Sequence, residues 1–183
     1  MRKLVVTENV SLDGVFESPE RWSAPFQSQD LQEIMYSGMQ STDTMLFGRV
    51  TFEQFAAFWP DSDMEPFASH MNNIEKYVVS SNLSIAEWGS GNPVPIIRDL
   101  QTELTKIKQK EGKNIGVIGS GGLVRSLLDH NLVDELVLAV HPVVLGSGKR
   151  LLGEQHQRKL ELIDSRALSS GSIYLAYKPS PLD

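Results

Sequence analysis

The segment Ile115-Gly116-Val117-Ile118-Gly119-Ser120-Gly121-Gly122-Leu123 passes from an apolar run into a cluster of glycines. An apolar, partly β-branched run is typical of a buried strand, and the glycines that follow interrupt it. Apolar residues then recur at helical spacing up to Leu128. The pattern predicts a strand, a tight glycine turn and the N-terminus of a helix.

A glycine turn in this position can bind a phosphate group. Without Cβ atoms the backbone amides can approach an anion closely, and the helix start adds unpaired N–H groups and the positive end of its dipole. The segment is not the dinucleotide fingerprint G-x-G-x-x-G, because the third glycine would fall at Val124. The alternative is an ordinary strand-to-helix turn, and this segment alone leaves both interpretations open.

The composition indicates a globular protein of ordinary size. With 183 residues, 40% hydrophobic and 22% charged, we expect a single domain over residues 1–183. The net charge of −6 argues against nucleic acid and anionic membranes as partners. The sequence has no cysteine, which excludes disulfides and thiolate metal sites. No apolar run is long enough for a signal peptide or a membrane span, so we expect a soluble cytoplasmic protein.

Strands and helices alternate along the chain until a closing hairpin. This order predicts a three-layer α/β/α fold with a mixed, mostly parallel central sheet and a C-terminal antiparallel hairpin. A long loop over 10–28 follows the first strand, and loops of that length are usually functional or disordered. Strands are predicted over 3–9, 44–47, 76–79, 94–98, 115–118, 134–141, 160–167 and 172–178, and helices over 29–39, 50–58, 66–73, 99–110 and after the glycine turn.

Polar residues follow two further predicted strands. Gly48-Arg49-Val50-Thr51 lies where a strand meets a helix, and Ser80-Ser81 ends another strand. In open α/β sheets ligands bind at the carboxyl ends of the strands, and the arginine fork suits phosphate. The alternatives are a solvated surface arginine and serines that merely form a turn. Together with the glycine turn, these segments favour a nucleotide that carries more than one phosphate group.

The chain as a whole resembles the dihydrofolate-reductase-like superfamily, in the branch typified by the reductase domain at the C-terminal end of bifunctional riboflavin-biosynthesis enzymes. The resemblance covers nearly the whole chain, here as a stand-alone domain, and the order and spacing of its segments are specific. The segments are Ser11-Leu12-Asp13-Gly14, Leu46-Phe47-Gly48-Arg49-Val50-Thr51-Phe52-Glu53, Val79-Ser80-Ser81, Val117-Ile118-Gly119-Ser120-Gly121-Gly122, Val133-Asp134-Glu135-Leu136 and His141-Pro142-Val143-Val144-Leu145-Gly146-Ser147-Gly148.

The resemblance implies that NADPH is the cofactor. Arg49 and Thr51, with Gly48 beside them, would bind phosphate and adenosine-side oxygens, and Ser80 and Ser81 would lie at the 2′-phosphate. An arginine with two hydroxyls fits NADPH better than NADH, because no acidic residue stands there to bind a free ribose hydroxyl. The residues implied for the pyrophosphate are Gly119, Ser120, Gly121, Gly122 and Leu123.

The resemblance also implies that Asp13 and Gly14 lie beside the nicotinamide, in the loop that covers the active site. Asp13 could donate a proton, although an Asp-Gly pair more often simply forms a turn. Trp22 and Trp59 could wall a flat substrate, or could equally pack in the core or the loop.

We predict an NADPH-dependent reductase of a small planar heterocycle or carbonyl compound, pterin-like or flavin-precursor-like. The alternative is a non-catalytic NADP(H)-binding or sensing module on the same fold. Neither Asp30 nor Glu33 is placed as the pterin-binding acid of true dihydrofolate reductases, so folate is not the expected substrate. No metal is expected, because the histidines lack a ligand spacing and are more simply surface or packing residues; they are His70, His130, His141 and His156.

A homodimer is also predicted. The C-terminal hairpin and the apolar segment 136–145 offer more apolar strand than one sheet edge can safely leave exposed. Related reductase domains pair through such regions, which supports the same expectation by resemblance.

Overall fold

An eight-stranded sheet organises the molecule in the computed structural model, which describes residues 1–153 and 157–181. Its strand order is β6-β3-β2-β7-β1-β8-β10-β9, and two further short strands, β4 and β5, form a separate ribbon. The strands are β1 (Leu4–Ser11), β2 (Thr42–Gly48), β3 (Glu75–Val79), β4 (Glu87–Trp88), β5 (Asn92–Pro93), β6 (Ile96–Ile97), β7 (Asn114–Ile118), β8 (Glu135–His141), β9 (Lys159–Ala167) and β10 (Ile173–Ser180).

Six neighbouring strands of the sheet, in the order β6-β3-β2-β7-β1-β8, are parallel to one another, and β10 is antiparallel to both β8 and β9. β1 lies between β7 and β8, with Val6 opposite Val117 on one side and Leu136 on the other. The carboxyl ends of the parallel strands therefore share one edge of the sheet, and their loops lie together there.

Helices cover both faces of the sheet because successive side chains of each strand point to opposite sides. Leu46 of β2 packs in one apolar cluster with Leu104 and Leu127, whereas its neighbour Phe47 packs in another with Phe52. The predicted three-layer fold is confirmed. The helices are α1 (Gln29–Gln40), α2 (Arg49–Phe58), α3 (Phe67–Asn73), α4 (Leu100–Gln109) and α5 (Gly121–Asp129), with single 3-10 turns at Pro19–Arg21, Ala24–Phe26 and Trp59–Asp61.

Two expectations about the strands need correction. The strand predicted over 94–98 is reduced to β6, because Pro95 has no N–H to pair in a ladder. β8 is an interior strand between β1 and β10. Leu136 and Ala139 are accordingly buried, so the segment 136–145 does not form an exposed sheet edge. None of the helices that the structure describes is long and apolar enough to cross a bilayer.

Candidate active site at the carboxyl ends of the parallel strands

The glycine turn lies between β7 and α5 and adopts left-handed backbone conformations, with φ of +64° at Gly119 and 60° at Ser120. A Cβ on Gly119 would lie 3.2 Å from the Thr51 side chain. Ser120 is the N-cap residue of α5, but its side chain does not cap that helix; its Oγ accepts a hydrogen bond from the Gly48 amide at 2.9 Å. The turn is thus bonded to the start of α2.

Two helix N-termini consequently meet at this edge of the sheet. Gly48, the N-cap residue of α2, has no side chain that could cap it, and α5 has no side-chain cap either. The first amides of both helices keep their donor capacity, and both dipoles present their positive ends. Arg49 adds a cation at the first position of α2, where its Nη1 lies 3.0 Å from both carboxylate oxygens of Glu53. The arrangement suits an anion with several oxygens.

The two glycines at the start of α5 have different surroundings. A Cβ on Gly121 would lie 2.2 Å from Cζ of Phe16, so the Phe16 ring rests directly on this residue. A Cβ on Gly122 would meet nothing within 4 Å. The Leu123 side chain is buried in the core, so only its backbone amide can serve a ligand. Gly122 therefore faces the open space at the helix N-terminus.

Ser80 and Ser81 form a turn after β3. An arginine that sequence reasoning missed, Arg98, bonds to this turn. Ser80 Oγ accepts hydrogen bonds from the amides of Asn82 at 3.3 Å and Leu83 at 3.0 Å. Arg98 donates from its two terminal nitrogens to the carbonyls of Ser80 and Leu83. It follows β6 as Ser80 follows β3, and these strands are parallel neighbours. The same reasoning about strand ends would have identified it.

Asp13 holds two loops together. Its carboxylate accepts hydrogen bonds from the Ser11 hydroxyl at 2.7 Å and from the amides of Leu145 at 3.1 Å and Gly146 at 2.9 Å. The Ser11 hydrogen bond, followed by those from the amides, lowers the pKa of Asp13 to about 2. At neutral pH the group is ionised and cannot donate a proton. The contacts therefore favour the turn interpretation over an acid catalyst.

Gly14 occupies the tip of the same turn, where its φ of +83° requires a residue without Cβ. Its carbonyl accepts the Leu151 amide at 3.1 Å, and Arg150 Nε donates to the Asp13 carbonyl at 2.9 Å. The start of the long loop is in this way fixed to the segment that follows β8.

The two predicted tryptophans lie in different environments. Trp22 packs edge-on against His141, with ring centroids 5.7 Å apart, at the carboxyl end of β8. Trp59 contacts Phe55 and Phe58 and borders the apolar cluster of α2 and α3. Trp22 is thus part of the loop that covers the ends of β1 and β8, whereas the contacts of Trp59 favour its packing interpretation.

His141 is fully buried at the carboxyl end of β8, and Phe26 stacks on it at 5.5 Å. Its Nδ1 lies 2.8 Å from Ser172 Oγ, and its Nε2 lies 2.9 Å from Asn9 Oδ1. Burial lowers the pKa of His141, which favours the neutral ring. Sequence reasoning missed this network, because it treated His141 as an isolated residue and did not consider Asn9.

Glu8 is a buried carboxyl group on the opposite face of β1. Burial raises the pKa of Glu8 well above its ordinary value, against a smaller opposing effect of a hydrogen bond from the Gly119 amide. Its Oε1 has no hydrogen-bond partner among the residues that the structure describes. A buried carboxyl group with a raised pKa thus lies directly against the glycine turn.

The remaining candidates have structural roles. Asp30 accepts a hydrogen bond from the Ser169 amide at 2.7 Å, so it joins α1 to the C-terminal hairpin. Within 1–153 and 157–181, no group of three or more His, Cys, Asp or Glu residues could hold a metal ion. His156 lies outside the described residues.

Comparison with known families decides the relationship of the chain. The model of the RibD C-terminal domain matches residues 2–174. The chain belongs to the RibD C-terminal domain family. One relative is the uncharacterized protein YyaP of Bacillus subtilis (strain 168). It is 30% identical to this chain over 182 residues, which span 96% of this chain and 94% of YyaP.

Solved structures share the fold of this RibD C-terminal domain. A putative riboflavin biosynthesis protein from Shewanella sp. PV-4 superposes with a TM-score of 0.78 at 20% identity, covering 97% of this chain and 99% of that one. Dihydrofolate reductase from Enterococcus faecalis, complexed with NADP(H), superposes with a TM-score of 0.63 at 14% identity, covering 97% and 96%. The chain therefore shares its fold with these two proteins, one of which is a dihydrofolate reductase.

Proposed function

We propose that this protein is an NADPH-dependent reductase of a small planar heterocycle or carbonyl compound. The observation that carries the proposal is the pair of uncapped helix N-termini, joined by the hydrogen bond from the Gly48 amide to Ser120 Oγ. A diphosphate supplies the oxygens that these amides lack, and the helix dipoles and Arg49 favour its charge. The residues present fit this group, because Gly122 leaves open space at the start of α5.

The turn formed by Ser80, Ser81 and Arg98 supports NADPH over NADH. Hydroxyl groups and a guanidinium group suit the additional phosphate of NADPH. Arg98 would contribute charge there while its hydrogen bonds to the carbonyls of Ser80 and Leu83 hold the turn in place. We infer that the adenosine end of the cofactor lies across the ends of β3 and β6.

Bound NADPH would supply a hydride, and the protein would position and cover the reacting groups. The glycine turn and α2 would hold the phosphates, and the loop over 12–28 would exclude water through Trp22 and Phe26. Asp13 would fix the base of that loop, because its carboxylate bonds the amides of Leu145 and Gly146. Because Asp13 is ionised, the proton of the reaction would come from water, either directly or through a substrate group that exchanges protons with water.

The proposed substrate is a planar ring compound, pterin-like or flavin-precursor-like. The aromatic side chains of Trp22 and Phe26 and the polar network at His141 support this class, because flat rings stack on aromatics and present polar edges. The names of two structural neighbours refer to riboflavin biosynthesis and to dihydrofolate reductase, and both flavins and folates contain planar rings of this class.

Cofactor binding and turnover test the proposal in sequence. Titration of the purified protein with NADPH, followed by tryptophan fluorescence, is expected to saturate. A flat titration up to millimolar NADPH with folded protein would refute a cofactor site. Oxidation of NADPH is then followed at its nicotinamide absorbance with pterins, flavin precursors, quinones and nitroaromatics. Binding without turnover of any compound would favour the alternative, a non-catalytic NADP(H) sensor.

We also propose that the protein forms a homodimer through its C-terminal hairpin. β9 is an edge strand, and Leu162 and Ile163 are each 54% exposed on it. An exposed apolar edge favours pairing with a second copy. Light scattering should give a dimer mass for the wild type and a monomer mass for Ile163→Lys. Ile85→Lys, at an exposed apolar residue outside the hairpin, is the matched control and should remain a dimer.

A further inference from the structure

The hydrogen-bond network around His141 has a defined direction. Asn9 Oδ1 can only accept, so the His141 Nε2 that faces it at 2.9 Å carries the ring proton. In a neutral ring Nδ1 is then an acceptor, and it receives the hydroxyl proton of Ser172 at 2.8 Å. Ser170 in turn donates to Ser172 Oγ at 3.1 Å. Every bond in the chain from Ser170 to Asn9 is consistent with this single tautomer.

The direction of the network fixes the orientation of the Asn9 carboxamide. With Oδ1 bonded to His141, the Nδ2 group points away from the ring, and it has no hydrogen bond to any residue that the structure describes. The Asn9 Nδ2 atom is not fully buried, so it remains in contact with solvent. A carboxamide held by one end presents two N–H donors at the other.

Asn9 lies where the reacting rings of the proposed function would meet. It is on β1, next to β7 and its glycine turn, and opposite Ala139 of β8. Its side chain bonds His141, on which Trp22 and Phe26 pack. Neighbouring strands lie about 4.8 Å apart, so a ligand anchored at the glycine turn extends its other half over the end of β1.

We propose that Asn9 binds a carbonyl oxygen on the planar ring of the proposed function, at the carboxyl end of β1, and that His141 is the positioning residue that orients the Asn9 carboxamide for this bond. The proposal rests on the proposed function and deepens it, because it names the residue that would bind a ring carbonyl and the residue that orients it. The carboxamide of the nicotinamide offers the same acceptor, so the test has to separate the two sources.

The wild-type protein tests both steps by NMR. Ring ¹⁵N shifts at neutral pH should show His141 protonated at Nε2, with the assignment taken from the signal lost in His141→Gln. An Nδ1-protonated ring would overturn the assigned direction. On ligand binding, the Asn9 Nδ2 protons, assigned with Asn9→Asp, should move downfield as they form a new hydrogen bond.

The ligand arms identify the source of the carbonyl. A shift with NADPH alone assigns the bond to the nicotinamide, and a shift only with lumazine, a bicyclic ring with two carbonyls, assigns it to the substrate. Quinoxaline, a similar ring without a carbonyl, should cause no comparable shift. If NADPH saturates the tryptophan fluorescence but no ligand moves the Asn9 signal, the inference fails and the proposed function stands. If neither NADPH nor lumazine binds, both fail.

Variants separate positioning from structural support. Asn9→Asp keeps the acceptor for His141 but loses the donors, and should weaken the responding ligand about tenfold. His141→Leu should weaken it too, and His141→Gln, which can still donate to Asn9, should recover most of the loss. In Asn9→Ala, adding His141→Leu should cause no further loss of affinity, because the two residues act through one bond. Asn73→Asp, at an exposed asparagine of α3, should bind as the wild type does. Additive losses would overturn the positioning role.

Discussion

Alanine substitutions at Gly121 and Gly122 should have opposite effects on stability, although the residues are adjacent and both begin α5. A Cβ added to Gly121 would lie only 2.2 Å from Cζ of Phe16, whereas a Cβ added to Gly122 would lie in open space. Neither residue has a positive φ, so alanine is compatible with both backbones. The pair therefore isolates the packing of Phe16.

The expected magnitudes follow from two effects. Alanine favours the helix over glycine by up to about 1 kcal/mol, and less in the first turn. Gly122→Ala should gain a few tenths of this. In Gly121→Ala the Phe16 ring must move by more than about 1 Å to reach normal contact distance, and such overpacking costs roughly 1–3 kcal/mol. The free energy of unfolding should thus differ between the variants by about 1–3 kcal/mol, or about 2–4 °C in Tm per kcal/mol.

Cofactor binding should order the variants differently from stability. Gly122→Ala places a methyl group where the diphosphate would approach α5, so it should be more stable than the wild type and yet bind NADPH less tightly. Urea unfolding gives the stabilities, and fluorescence titration gives the dissociation constants. If Gly121→Ala is as stable as Gly122→Ala, the packing argument is wrong. If Gly122→Ala binds NADPH as the wild type does, the glycine turn is not the diphosphate site.

Three further predictions concern charged groups. Because the pKa of Glu8 is raised in the folded protein, the folded state binds more protons than the unfolded state above about pH 4.3, and stability falls as the pH rises to the folded pKa. Glu8→Gln should remove this loss, so the free energy of unfolding of the variant in urea, relative to that of the wild type, should rise from pH 5 to pH 8. The rise should be about 1.4 kcal/mol per unit of pKa shift. A difference between variant and wild type that is independent of pH would contradict the raised pKa. Arg49→Ala should weaken NADPH about tenfold to a hundredfold and NADH far less if it binds the 2′-phosphate, whereas an unchanged ratio of the two dissociation constants would assign Arg49 to the pyrophosphate. Arg98→Ala should also weaken NADPH more than NADH, because the Ser80 turn then loses both its charge and its support, and Arg98→Lys should recover only part of the loss.

The fold was predictable because its strongest signals are local. The apolar run before Gly119 and the helical spacing after it specify β7 and α5 without reference to the rest of the chain. Asp99 caps α4 by accepting the Thr102 amide at 3.1 Å, as its position before a helical pattern indicates. The exception is β6. The apolar pattern begins at Val94, before the paired residues Ile96–Ile97, and Pro95 has no N–H that could extend the ladder in that direction.

The site was predictable only in part, since its contacts join distant segments. The glycine turn and Arg49 lie at strand ends, where ligands bind in such sheets, and motif reasoning finds them. Asp13 bonds Leu145 and Gly146, which follow it by more than a hundred residues, and no local pattern distinguishes such a bracket from a proton donor. Arg98 is a similar case, because its role depends on the pairing of β6 with β3.

The sequence of β1 contains an indication of the site that motif analysis does not detect. This strand is central in a mostly parallel sheet, and such strands are normally apolar on both faces, yet it contains Glu8 and Asn9 in succession. A buried polar side chain costs free energy unless it is bonded, so its place in a central strand needs a reason. The two-residue period of a strand sends Glu8 to the face of the glycine turn and Asn9 to the face of His141. One strand thereby contributes a polar group to each half of the proposed site. A shift of β1 by one residue would turn every side chain to the opposite face, and depending on its direction it would place Glu8 beside His141 or Asn9 under the glycine turn. The register that sets Val6 opposite Val117 and Leu136 is therefore also what assembles the site.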